Sequence, residues 1–157
     1  APDRILVGEA RDAETMEASI EAANTGHWVG TTTHAADVKK SIRRMTSCFS
    51  GDDRGSNLVV LVENLRLIVN QMLVPSAEGK RVALREYLIF DREVQDSMLA
   101  KVANPDEMPI VAGDFVRKRG NDFSTAARRA FKDGLISADV RDFVLKSQNS
   151  GGERHVA

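Results

Sequence analysis

The sequence predicts an α/β fold, with a parallel strand-helix-strand unit at the front, further helices and a hairpin behind it, and a mainly helical C-terminal region. Three observations carry this. An aliphatic run, Arg4-Ile5-Leu6-Val7-Gly8-Glu9, is followed at once by a helical period and then by a β-branched stretch from Trp28 to Thr33. Two more extended runs, Gln71 to Val74 and Arg81 to Phe90, flank the turn-forming Pro75-Ser76-Ala77-Glu78-Gly79. From Asp91 onward the patterning is helical.

Arg4 to Glu9 reads as a buried strand ending in an acidic residue, because its aliphatic residues run together without alternation. Asp12 suits the N-cap of the following helix, and Glu14 puts a second negative charge in its first turn, where the helix dipole favours it. The capping box is incomplete, since Thr15 stands where Glu or Gln belongs. Met16, Ile20 and Ala23 recur at helical spacing, and Gly26 suits the left-handed turn that ends a helix. Trp28 to Thr33 is a second strand; as a parallel neighbour of the first it requires a right-handed crossover.

Val38, Ile42, Met45 and Phe49 form the apolar stripe of a helix from about Ala36 to Phe49. Residues 50–56 are a loop by composition. Asn57 then caps a helix carrying Leu58, Leu61, Val62, Leu65 and Ile68 or Val69. After the hairpin one helix runs to about Val102, and an irregular passage follows, holding Pro105, Pro109 and Gly113. Helices are predicted near Phe123 to Asp133 and Ala138 to Ser147, with Gly134 ending one and Ser137 beginning the next. The resulting division is 1–90 for the α/β core elements, 91–148 for the helical region and 149–157 for a disordered tail with two adjacent glycines.

Composition narrows the function. The 157 residues carry 22 basic and 23 acidic side chains, so no overall field draws the chain to nucleic acid or an anionic membrane. Basic clusters at Arg43-Arg44, Arg117-Lys118-Arg119 and Arg128-Arg129 read first as solvated helix faces, and direct nucleic-acid binding has low weight. A single cysteine, Cys48, excludes an internal disulfide and a multi-thiolate metal site, and fits a reducing, cytoplasmic compartment. No apolar run approaches the ~20 residues that span a bilayer. The opening residues lack a signal-peptide pattern and read as a start made inside a domain.

Ligands of open parallel sheets collect beyond the carboxyl ends of the strands, which directs attention to Glu9 and His34. A carboxylate and an imidazole at one sheet edge can orient a water and contact a polyanion, as a nucleotide hydrolase needs. The same pattern also fits a solvated glutamate at a strand end and an ordinary surface histidine. His27 and His34 bracket the second strand, about 23 Å apart at ~3.3 Å per residue, so one ion cannot reach both. His27 is expected to be a structural donor near the end of the preceding helix. No Gly-x-Ser-x-Gly elbow is present. Nor is a phosphate-cradling P-loop: the only Gly-Lys pair, Gly79-Lys80, is followed by Arg81 and has Val74 where the first glycine belongs.

Two runs, PDRILVGEARDAETM (residues 2–16) and EAANTGHWVGTTTHA (residues 21–35), resemble the Walker B and His-box segments of the type II and type IV secretion ATPases. Asn70-Gln71-Met72-Leu73 with Gly79-Lys80-Arg81-Val82-Ala83 is similar to a later region of that family, and Phe123 to Ser137 to its late helical segment. The wording is nearest the type IVB Dot/Icm (DotB-like) branch and its conjugative-plasmid (TraJ-like) relatives. The Glu93–Ala100 segment departs from the pattern of pilus-retraction members, which weighs against a retraction motor.

The resemblance implies the C-terminal part of a RecA-like P-loop NTPase core that uses ATP and Mg²⁺. Glu9 would be the Walker B glutamate, positioning the attacking water and supporting Mg²⁺ indirectly. His34 would sense the γ-phosphate, with Thr32, Thr33 and Arg11 as nucleotide-binding companions. It further implies a homo-hexamer on the cytoplasmic face of the inner membrane, docked on secretion or conjugation proteins. The family's Walker A loop and its PAS-like N-terminal domain have no counterpart in these 157 residues, so the isolated chain is expected not to hydrolyse ATP. The alternative is a noncatalytic docking or assembly module of the same apparatus.

Overall fold

The computed structural model describes residues 2–149. Strands β1 (Arg4–Val7) and β2 (Trp28–Thr31) pair in parallel, Arg4 opposite Trp28 and Val7 opposite Thr31, with helix α1 (Ala13–Asn24) between them in sequence. The Asp12 carboxylate accepts from Thr15 N at 2.8 Å to cap α1, and that bond holds its pKa below the usual carboxylate value. Gly26, at φ +95°, makes the left-handed exit that α1 needs. Helices α2 (Val38–Ser47) and α3 (Arg54–Asn64) follow. Strands β3 (Leu67–Pro75) and β4 (Arg81–Ile89) then form an antiparallel hairpin, a second and separate two-stranded sheet.

The remaining elements are helical: α4 (Arg92–Leu99), a 3-10 turn (Pro105–Glu107), α5 (Met108–Lys118), α6 (Phe123–Lys132) and α7 (Ala138–Asn149). Two apolar clusters hold them. One joins Met16 and Ile20 of α1, Ile42 of α2, Leu58 and Val62 of α3, Leu88 of β4, and Met98 and Met108 of α4 and α5. The other packs Phe123, Ala127 and Val144 of α6 and α7 against Met72, Val74 and Leu84 near the hairpin tip. Each buried aliphatic side chain contributes about 1.5–3 kcal/mol relative to exposure, so these clusters supply the driving force for folding.

Four expectations need correction. Arg4 to Glu9 is not a strand buried on both sides: Leu6 is 81% exposed, because nothing among the described residues covers its face. The helix predicted from Leu58 through Ile68 or Val69 begins earlier, at Arg54, and stops at Asn64; Ile68 and Val69 belong to β3. A buried polar residue, Asn70, interrupts the apolar alternation of β3 and hid its first half. The passage around Pro109 and Gly113 is helix α5, since proline is tolerated in a first turn where no N–H partner is needed. Gly113 lets α5 approach α2 closely: a Cβ there would lie 2.6 Å from Lys39 Cδ. Of the tail expected to be disordered, Asn149 is the last residue of α7 and the rest lies outside the described residues.

Candidate active site

Both parallel strands run toward the same rim, and the ladder continues past their ends. Ala10 N donates to Thr32 O at 3.1 Å, and Thr32 Oγ1 donates to Gly8 O at 2.5 Å. These bonds tie the segment after β1 to the segment after β2. Sequence dictates the arrangement locally: Gly8 adds no side chain to the exit of β1, and Asp12 starts α1 at once, leaving Glu9 at the turn.

The structure brings Glu9, Arg11 and His34 together at this rim. Glu9 Oε2 lies 2.6 Å from Arg11 Nε, and Glu9 Oε1 lies 3.4 Å from His34 Nε2. The second distance is within ion-pair range but lacks hydrogen-bond alignment, and Oε1 remains buried without a hydrogen-bond partner. Glu9 has a side chain only 17% exposed, whereas that of His34 is 82% exposed. A largely desolvated carboxylate therefore sits behind an accessible imidazole and guanidinium. Thr33 Oγ1 is also buried without a partner. Thr32 is spent on the backbone stitch.

A buried oxygen without a donor is what a water held for attack, or a water of a hydrated cation, would satisfy. Among the described residues no three His, Cys, Asp or Glu side chains gather as a metal cage. The rim itself offers one carboxylate, Glu9, and Mg²⁺ in general keeps much of its water and takes few protein ligands beside phosphates. His27, at the opposite end of β2, has Nδ1 3.0 Å from Ala22 O, the helix-end contact expected of it.

Other candidates separate from the rim. A cleft of about 490 Å³ lies between α2, α5 and the ends of α6 and α7, and neither Glu9, Arg11 nor His34 lines it. The basic cluster at 117–119 is internally neutralised: Arg117 pairs with Asp114, Lys118 with Glu93 at 3.3 Å, and Arg119 with Asp91 at 2.8 Å. The Arg119 bond holds the Asp91 carboxyl below its ordinary range, and Asp91 in turn raises the Arg119 guanidinium. Burial pushes the Cys48 thiol up, and its S–H donates to Arg44 O at 3.4 Å.

Sequence reasoning missed two residues just behind the rim. Asn70 and Glu86 are 7% and 6% exposed, on adjacent inward positions of the hairpin strands. Asn70 Nδ2 donates to Ala35 O at 2.9 Å, one residue after His34. Glu86 Oε1 accepts from Val38 N at 2.9 Å. The signal was available: in β4 the inward series Leu84, Glu86, Leu88 places a carboxylate where parity demands an apolar side chain.

The profile of the family described as Type II/IV secretion system protein matches residues 1–121. The chain belongs to that family. Its α/β arrangement is that of the RecA-like core of the secretion ATPases: the X-ray structure of the Legionella pneumophila ATPase DotB superposes with a TM-score of 0.87 at 41% identity, covering 93% of this chain and 39% of that one. The pilus retraction motor PilT with bound ADP gives a TM-score of 0.77 at 27% identity, covering 91% of this chain and 39% of that one. In sequence, the type IV pilus ATPase PilT of Pseudomonas aeruginosa is 39% identical over 88 residues, 56% of this chain and 26% of that protein. This family member thus spans about a quarter of the length of the curated relatives it matches. Among its described residues no helix is long and apolar enough to cross a membrane.

Proposed function

We propose that this chain is the C-terminal catalytic segment of a hexameric motor ATPase that couples ATP hydrolysis to type IV secretion or conjugative DNA transfer. The motor would work at the cytoplasmic face of the inner membrane, docked on the secretion apparatus. The observation that carries this reading is the buried Glu9 Oε1, without a hydrogen-bond partner and 3.4 Å from His34 Nε2, beyond the ends of two parallel strands.

Glu9 orients the attacking water through Oε1. A carboxylate is a weak base, so the contribution of Glu9 is placement of the water rather than full proton removal. When bound, Mg²⁺ would supply charge neutralisation at the phosphates, and Glu9 would hold it through its water shell. His34, the exposed member, reads the γ-phosphate. Arg11 anchors the second Glu9 oxygen, keeping the carboxylate aimed, and adds positive charge toward the nucleotide. Thr32 fixes the rim and Thr33 offers a hydroxyl to it. The phosphate-cradling loop would come from outside these 157 residues.

The test is Glu9→Gln in the complete protein, expected to retain ATP binding while turnover falls about 100-fold or more. Turnover at the unmodified rate would remove Glu9 from the mechanism. Absence of any ATP binding by the complete protein, measured by nucleotide titration, would instead favour a noncatalytic docking module.

A further inference from the structure

Behind the candidate site, one buried carboxylate receives the start of two helices. Glu86 Oε1 accepts from Val38 N, the first residue of α2, at 2.9 Å; Glu86 Oε2 accepts from Phe123 N, the first residue of α6, at 3.4 Å. Helix N-termini present unpaired N–H groups and partial positive charge, so a shared anion stabilises both at once. A second tie runs beside the first. Asn70 Nδ2 donates to Ala35 O at 2.9 Å and lies 3.1 Å from Ser41 Oγ, while Ser41 Oγ donates to Asp37 O at 3.0 Å. The segment from Ala35 to Val38, which begins directly after His34, is therefore fastened to both strands of the hairpin.

We infer that Glu86 is a positioning residue for His34: its carboxylate fixes the His34–Val38 segment and the start of α6 with the same group, so that the nucleotide rim and the α6–α7 helices are set by one buried anion. This rests on the reading of His34 as the phosphate-contacting residue. The carboxylate form matters. Each of its two oxygens faces an N–H, and an amide in its place would turn a donor toward one of them. Asn70 supports the same segment from the neighbouring strand, with Ala35 O as its handle.

The experiment is a double-mutant cycle in the complete protein. Glu86→Gln is expected to lower kcat for ATP about tenfold with KM within about twofold, the cost of displacing a positioned group. In a His34→Ala background the same change is expected to add nothing further. A second readout follows the His34 ring resonances by NMR without nucleotide: they should shift in Glu86→Gln while those of His27, at the other end of β2, stay in place.

Equal losses in both backgrounds, an unchanged kcat, or ring shifts at both histidines or at neither would overturn the inference. If Glu86→Gln fails to fold, Asn70→Ser removes the ties to Ala35 O and Ser41 Oγ while leaving Glu86 in place, and must show the same non-additivity with His34→Ala; additive losses there overturn it as well. His34→Ala that turns over normally would bring down the proposed function itself, a result distinct from additivity.

Discussion

The parallel pair β1–β2 and the hairpin β3–β4 are both two-stranded, yet they live in different surroundings. In the pair, Leu6 is 81% and Trp28 62% exposed. In the hairpin, alternate residues of β3 are buried: Ile68, Asn70, Met72 and Val74. Parallel strands are ordinarily covered on both faces, whereas a hairpin is stable with one face covered. The proposed site thus lies on the pair, whereas the hairpin buries one face against the helices and ties the segment after His34 through Asn70 and Glu86. Active-site elements commonly come from the less stable end of a structure, which leaves them free to respond to a ligand.

The contrast can be broken by mutation. Phe123, fully buried between α6 and the hairpin tip, is the largest test: Phe123→Ala should cost about 3–5 kcal/mol in denaturant melts. A loss under about 1 kcal/mol would mean the scaffold is not where stability resides. Asp122→Ala removes the α6 cap, whose carboxylate takes Thr125 N at 2.9 Å, and should cost about 1 kcal/mol by the same measurement.

On the exposed pair, Leu6→Ala should change stability by less than about 0.5 kcal/mol, as surface substitutions do. The uncovered apolar face should instead show itself in self-association of the 157-residue chain, reduced in Leu6→Lys. Sedimentation that finds a concentration-independent monomer would contradict this.

The smallest expected effect is acid sensitivity at α4. The Asp91 pKa is depressed in the folded state, so its contribution is complete above the unfolded value near 3.9 and fades as pH falls below it through the folded value. Asp91→Asn should flatten that part of the stability profile.

Local rules made the front of the molecule legible. Asp12 as cap, Gly26 as helix exit, and Glu9 and His34 at strand ends all follow from short-range patterns, and the structure brings the last two within ion-pair distance. What escaped depends on long-range partners. Ile68 continued the helical spacing of Leu65 and was separated from Met72 by the polar Asn70, so pairing with β4 alone reveals its strand. Helix α5 hid behind Pro109 and Gly113, two residues whose tolerance depends on a first turn and on the neighbouring Lys39 chain. Glu86 stayed unread because a charge in an inward position makes sense only once both helix ends that meet it are known.

The shared carboxylate also links the exchange behaviour of two distant amides. Val38 N and Phe123 N both donate hydrogen bonds to Glu86, so releasing either one to water exposes the carboxylate the other depends on. In deuterium-exchange measurements these two amides should lose protection through a common opening, slowed or hastened together as solution conditions change.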